Sequence, residues 1–188
     1  MPEPIRHNAA VGDIRPLWDR PRKLRLKNQG TVASDGTALQ NTLLYYIAGL
    51  TTFCGLRHVP VITGYMSGCY LFRYRRNGDM RVAHVGTHDA NAELSTRAKD
   101  AWKAYAAQPH ITEIYGFDPI RDVSDNLMRT TIGQGPDPKI FGAWDPNGIA
   151  YIGMSVDDPA IPGNRLVTGV EPAPMRSWAM IAHDTKMQ

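Results

Sequence analysis

A cysteine and a histidine lie fifteen positions apart, on the two sides of a hairpin signal. Cys69 opens one candidate strand, and His84 lies near the end of the next. Between them Asn77 and Gly78 favour a type I′ turn, because both central residues of that turn need positive φ. The resulting pairing places Leu71 opposite His84. Cys69 and His84 are then diagonal neighbours on one face of the hairpin, since side chains alternate faces with period two.

A thiol beside an imidazole is the minimum equipment for nucleophilic catalysis by cysteine. The attacking species is the thiolate, which a free cysteine barely supplies at neutral pH, so a neighbouring base must take the proton. His84 suits this role because the ordinary pKa of histidine lies near neutral pH. Ser67 and Gly68 leave the backbone before Cys69 free to approach a substrate and to direct N–H groups at an oxyanion. Thr63 carries a hydroxyl that could orient His84.

The same residues also have a purely structural interpretation. Buried cysteine is common as a small hydrophobic residue, and a core histidine can be satisfied by a backbone carbonyl. Cys54 could form a disulfide with Cys69, which would silence the thiol, although two cysteines are too few for a disulfide framework. A zinc site could draw on these two cysteines and on His58, His84 and His88. No Cys-x-x-Cys is present, however, and the two later histidines are spaced for a helix but lie at a strand exit.

The residues around Cys69 resemble those of a known enzyme family. The segment reads Thr63-Gly64-Tyr65-Met66-Ser67-Gly68-Cys69, and His84-Val85-Gly86 follows one strand later. It is similar to the glutamine-deamidase toxins typified by Burkholderia lethal factor 1 and the cytotoxic necrotizing factors, which carry Leu-Ser-Gly-Cys and a later histidine. Met66 replaces the leucine with a side chain of similar volume. The Burkholderia toxin has a threonine matching Thr63, and the necrotizing factors share the spacing from Cys69 to His84.

This resemblance covers residues 63–87 and implies a fold, a reaction and a setting. The implied fold is α+β, with a central β-sandwich or a strongly twisted mixed or antiparallel sheet flanked by helices. The implied reaction converts a glutamine side chain of a target protein to glutamate, without a metal or another cofactor. The implied catalytic residues are Cys69, His84 and Thr63, and the substrate-binding and oxyanion residues are Gly68, Ser67 and Tyr65. The implied setting is a bacterial toxin or effector in the cytoplasm of a target cell, with an immunity or delivery partner.

Other functions use the same residues or ignore them. A cysteine peptidase or a cell-wall amidase would share the acyl-enzyme chemistry, and an amine in place of water would give transglutamination. A non-catalytic β-rich binding module would need neither the thiol nor the imidazole. These alternatives differ in what they do to a target protein: deamidation, cleavage or binding alone.

The composition is that of an ordinary soluble domain, with 188 residues, 43% hydrophobic and 21% charged. No apolar run is long enough to span a membrane, and the N-terminal residues lack the apolar core of a signal peptide. We therefore expect any export to proceed without a cleaved signal peptide.

We expect residues 1–36 to form a basic, partly irregular arm and residues 37–188 to form a single catalytic domain. The arm has seven basic and four acidic residues, which accounts for the whole net charge of +3. The neutral body argues against an extensive nucleic-acid interface. The arm could be a solvated tail, or it could bind an acidic partner or anionic lipid.

Hydrophobic patterning predicts the elements that surround the motif. The most regular is a helix over 92–107, with Asn91 as its N-cap. Residues 37–53 fit a helix or a strand, and we favour a helix that ends near Gly55. Short edge strands are expected at 24–27 and, because of Pro60, at 58–63. Further strands are expected at 111–117, 140–144, 149–154, 166–170 and 177–181, with a hairpin turn at 145–148 and a loop at 133–138.

Overall fold

Two β-sheets packed face to face form the centre of the fold, and helices lie outside them. The computed structural model describes residues 24–27, 30–32, 38–39, 41–66, 68–159, 165–184 and 186–187. The fold is α+β with two mixed or antiparallel sheets, as the sequence predicts.

The described residues form thirteen strands and four helices. The strands are β1 Leu24–Lys27, β2 Gly30–Val32, β3 Ala38–Leu39, β4 Thr42–Leu44, β5 Thr51–Gly55, β6 Val61–Thr63, β7 Tyr70–Arg76, β8 Asp79–Val85, β9 Ile111–Phe117, β10 Lys139–Trp144, β11 Ala150–Asp157, β12 Arg165–Pro172 and β13 Arg176–Ser177. The helices are α1 Ala92–Ala106, α2 Pro119–Asp122, α3 Asp125–Ile132 and α4 Trp178–Ile181.

One sheet has eight strands in the order β3-β2-β1-β12-β11-β10-β6-β4, and the other has five in the order β13-β9-β7-β8-β5. All pairs are antiparallel except β4 with β6, which run parallel. The smaller sheet, whose centre is the β7–β8 hairpin, contains His84 and begins its β7 strand directly after Cys69.

The β7–β8 hairpin has the turn and the register that the sequence predicts. Asn77 and Gly78 have φ of 51° and 86°, so both central residues adopt the positive φ of a type I′ turn. Leu71 lies opposite His84. Strand β7 begins at Tyr70, so Cys69 immediately precedes the strand instead of opening it.

Each face of the smaller sheet covers a separate core. Between the two sheets, Leu71 and Val82 pack with residues of the larger sheet such as Trp144. On the opposite face Phe72 packs against Trp102 of helix α1, with ring centroids 4.4 Å apart. Because the hairpin separates two apolar layers, its side chains are fixed from both faces.

Several predicted elements are confirmed. Helix α1 spans Ala92–Ala106, and the Asn91 side chain accepts a hydrogen bond from the Leu94 N–H at its start. Strands are present at the expected positions 111–117, 140–144 and 166–170, and β10 and β11 flank the turn at 145–148. Residues 133–138 are irregular, as expected.

Other predictions are wrong. Residues 41–55 form β4 and β5 with an irregular segment at 45–50 between them, not a helix ending near Gly55. Residues 178–181 are helix α4 and not a strand. Pro60 does not mark an edge, because it precedes β6, and β6 lies between β4 and β10.

Strands β1 and β2 fall within the basic segment 1–36. β1 pairs with β2 on one side and with β12 on the other, so it is an interior strand and not the expected edge strand. The rest of that segment lies outside the described residues, and the boundary at residue 36 stays a prediction. Among the described residues no helix is long and apolar enough to cross a membrane.

Candidate active site

Cys69 and His84 lie on the same face of the smaller sheet, as their spacing predicts. Cys69, Leu71 and Val82 belong to the core between the two sheets. Since side chains alternate along β8, His84 shares the face of Val82. The histidine ring accordingly lies 5.6 Å from the ring of Tyr46, which packs against that same core.

The Cys69 thiol is buried and contacts one neighbouring residue through two atoms. Its Sγ lies 3.9 Å from the carbonyl oxygen of Thr87 and 3.6 Å from the Thr87 hydroxyl oxygen. Burial raises the pKa of the thiol above its ordinary value, while both Thr87 contacts oppose that rise. At neutral pH the resting side chain is therefore a protonated thiol.

His84 lies on the same face as the Cys69 thiol but forms no hydrogen bond with it. It is 0% exposed, and neither ring nitrogen has a hydrogen-bond partner among the described residues. Burial lowers the pKa of His84 to about 3, so the imidazole is neutral at pH 7. Buried polar groups are nearly always hydrogen-bonded, and a catalytic role is one explanation for an exception. The expected structural alternative, a histidine satisfied by a backbone carbonyl, does not describe this side chain.

The irregular segment 45–50 packs beside Cys69 and His84. Tyr46 donates its hydroxyl to the Thr87 carbonyl over 2.8 Å, the same carbonyl that faces the thiol. Two backbone hydrogen bonds with Gly86 hold the segment. The Gly49 N–H donates to the Gly86 carbonyl, and the Gly86 N–H donates to the Leu50 carbonyl. The close approach of this segment requires glycine at position 86, because a Cβ on Gly86 would lie 2.2 Å from the carbonyl oxygen of Ile47.

Opposite charges flank the backbone immediately before the cysteine. A Cβ on Gly68 would lie 3.5 Å from Lys186 Nζ and 3.7 Å from Asp89 Oδ1. Lys186 lowers the pKa of the Cys69 thiol and Asp89 raises it. Lys186 is itself paired with the buried carboxylate of Asp118. Gly68 has φ of 136°, which agrees with the conformational freedom expected of it.

Thr63 has other partners than the histidine. Its hydroxyl donates to the carbonyl of Gly64 over 2.8 Å and accepts from the N–H of Gly142 over 2.9 Å. No hydrogen bond joins it to His84, whose nitrogens have no described partner. In this arrangement Thr63 fastens β6 to β10, and it does not orient the imidazole.

The remaining predicted residues are only partly described. Tyr65 packs under the guanidinium of Arg165, with 4.8 Å from the guanidinium carbon to the ring centroid. Its contacts therefore lie with strands of the larger sheet, and its substrate-binding role stays a prediction. Ser67 lies outside the described residues.

Both cysteines are free thiols, so the alternative of a disulfide does not describe this structure. Cys54 lies on β5 opposite Val82, and burial raises its pKa to about 12. Across the described ranges no three histidine, cysteine or acidic side chains cluster so that they could hold a metal ion.

Sequence reasoning missed three residues around the thiol: Tyr46, Thr87 and Lys186. Thr87 directly follows the His84-Val-Gly run, and a hydroxyl at that position is a sequence signal for a hydrogen bond to a nearby thiol. Tyr46 could not be placed because the hydrophobic periodicity of its segment fits a helix and a strand equally. Lys186 is 117 positions from Cys69 and carries no local signal. No model of a known protein family and no curated protein sequence matches the chain, so the resemblance to the deamidase toxins rests on the residues quoted above.

Proposed function

We propose that the chain is a cysteine-dependent deamidase that converts a glutamine side chain of a target protein to glutamate. The observation that carries the proposal is a buried imidazole on the same face as a buried thiol, with ring nitrogens that have no hydrogen-bond partner among the described residues. The family resemblance of residues 63–87 supplies the substrate class, and with it the proposal of a toxin or effector acting inside a target cell.

In the proposed reaction Cys69 attacks the carboxamide carbon while its proton passes to His84. The C–N bond then breaks, and the imidazolium returns the proton to the departing ammonia. Water, deprotonated by the same imidazole, attacks the thioester, and glutamate and the free thiol are released. Because the resting pair is a neutral thiol and a neutral imidazole, the thiolate forms only as the proton is transferred.

Burial of both groups requires the site to open. Cys69 is 0% exposed, so a glutamine side chain reaches the sulfur only when covering groups move. The charged side chains of Lys186 and Asp89 lie near Gly68. Lys186 is half-exposed and Asp89 is exposed. Neither residue belongs to the β7–β8 hairpin that positions Cys69 and His84.

The proposal is tested by measuring ammonia release from glutamine-containing protein and peptide substrates, together with mass spectrometry of a treated lysate. The full chain should raise the mass of its target by about one unit at a glutamine, through an acyl-enzyme intermediate. Cys69→Ser should lower the rate by about 10³-fold or more, as loss of a nucleophile does. Cys54→Ser is the matched control and should keep the wild-type rate.

The outcomes separate the alternatives. Cleavage of the target chain that depends on Cys69 would indicate a cysteine peptidase, and incorporation of an added amine would indicate transglutamination. Ammonia release that survives Cys69→Ser would refute the proposal.

The complete burial of the thiol favours a second candidate, a non-catalytic β-rich binding module. In such a module Cys69 is a small core residue, held by Thr87 and packed between the sheets. Absence of any product, with partner binding unchanged by Cys69→Ser, would support this candidate over the deamidase.

A further inference from the structure

The hydroxyl of Thr87 has two acceptors within reach and a single proton. Its Oγ1 lies 3.2 Å from the carbonyl oxygen of Gly68 and 3.6 Å from the Sγ of Cys69. A hydroxyl donates to one acceptor at a time but rotates freely between two. Thr87 also presents its backbone carbonyl to the same sulfur, at 3.9 Å. One residue can therefore serve both protonation states of the thiol.

We propose that the Thr87 hydroxyl stabilises the Cys69 thiolate. In the resting state the S–H donates to the Thr87 carbonyl, and the Thr87 hydroxyl donates to Gly68. When the S–H proton passes to a ring nitrogen of His84, the sulfur becomes an acceptor only. The Thr87 hydroxyl then turns from the Gly68 carbonyl to the sulfur, where the hydrogen bond to a charged atom is stronger. In this step the S–H bond breaks, an N–H bond forms on His84, and no other covalent bond changes.

The other charged and titratable groups that the structure describes around the sulfur do not themselves donate a hydrogen bond to it. Lys186 and Asp89 act on the thiol in opposite directions. Tyr46 donates its hydroxyl to the Thr87 carbonyl, and His84 is neutral at rest. Among the described residues Thr87 is the hydrogen-bonding partner of the sulfur.

Thr63 offers no such effect, because both of its contacts lie elsewhere. Its proton is donated to Gly64, and its oxygen accepts from Gly142. The two threonines thus give a matched pair of substitutions, one at the sulfur and one within the larger sheet.

The experiment measures the pH dependence of Cys69 alkylation by iodoacetamide, read by mass spectrometry of the Cys69 peptide so that Cys54 does not contribute. Thr87→Val should raise the pKa of Cys69 by about one unit, as expected for loss of one hydrogen bond to a charged group. Alkylation at a fixed pH below that pKa should then slow by about tenfold. Thr87→Ser, which keeps the hydroxyl, and Thr63→Val should both retain the wild-type pKa.

An unchanged pKa in Thr87→Val, or an equal rise in Thr63→Val, would overturn the inference. If Thr87→Val fails to fold by circular dichroism, the pair Thr87→Ala and Thr87→Ser provides the same comparison with less steric disturbance. The reaction that uses the thiolate rests on the proposed function, but alkylation needs no substrate. A pKa shift without ammonia release would refute the deamidase and keep the role of Thr87, and ammonia release without a shift would do the reverse.

Discussion

Replacing His84 by leucine should stabilise the fold while abolishing the proposed deamidase activity. The wild-type imidazole is fully buried with two nitrogens that no described residue satisfies. An unsatisfied buried polar group costs about 1–3 kcal/mol, and leucine has a similar volume and no polar atom. At pH 7.5 we expect the free energy of unfolding of His84→Leu to exceed that of the wild type by about 1 kcal/mol. A histidine retained only for stability would give the opposite sign.

The advantage of His84→Leu should grow as the pH falls. Burial lowers the pKa of His84 to about 3, below the ordinary value of 6.5 that applies to the unfolded chain. The unfolded state therefore takes up the proton first, and the contribution of neutral His84 is complete above about pH 6.5 and declines toward pH 3. Between pH 7.5 and pH 5.0 these two pKa values give a loss of about 2 kcal/mol in the wild type and none from position 84 in the variant.

The measurement is urea unfolding of both proteins at pH 7.5, 6.0 and 5.0. Other groups titrate over this range, but the difference between the two proteins isolates position 84 because the remaining residues are shared. His58→Gln, at an exposed histidine outside the site, is the control and should follow the wild type. Ammonia release by His84→Leu should be lost at each pH.

Two results would refute this reasoning. A difference between wild type and His84→Leu that stays constant from pH 7.5 to 5.0 would mean that the imidazole titrates equally in both states. A variant less stable than the wild type at every pH would mean that the histidine makes stabilising hydrogen bonds.

Two further substitutions test the scaffold of the site. Thr63→Val should lower the free energy of unfolding by about 1–3 kcal/mol, because it leaves the buried Gly142 N–H without its acceptor, whereas Thr63→Ser should restore it. Gly86→Ala should cost about 1–3 kcal/mol in urea unfolding, because its Cβ would meet the Ile47 carbonyl oxygen at 2.2 Å. Gly64→Ala is the matched control, since a Cβ at that position meets no atom within 4 Å, and equal costs at the two glycines would contradict the steric argument.

The parts of the fold that could be predicted are those with a local physical signal. Asn77 and Gly78 permit the positive φ that closes the hairpin, and this turn alone determines the register that brings Cys69 and His84 to one face. Asn91 similarly satisfies the first turn of helix α1. Both features depend on contacts between residues close in sequence.

The parts that could not be predicted depend on partners far along the chain. Apolar and polar residues do not alternate regularly over 41–55. The two strands in this range are defined by their pairing with β6 and β8. The position of Pro60 suggested an edge, but the proline lies just before β6 and so removes no ladder hydrogen bond.

The site itself divides in the same way. The shared face of Cys69 and His84 could be predicted from one hairpin, whereas the partner of the Thr63 hydroxyl could not. That hydroxyl meets Gly142, 79 positions away, and the motif gives no indication of it.

The origin of Cys69 and His84 in a single hairpin has a consequence for how proteins with this feature diverge. A short covalent unit holds the sulfur and the ring through its own backbone ladder and one turn. Substitutions in the flanking layers can accumulate over generations without separating the two groups, provided that the apolar cover persists. A resemblance among proteins that share such a hairpin would then survive in a stretch of some two dozen residues, while the rest of their sequences diverges beyond recognition.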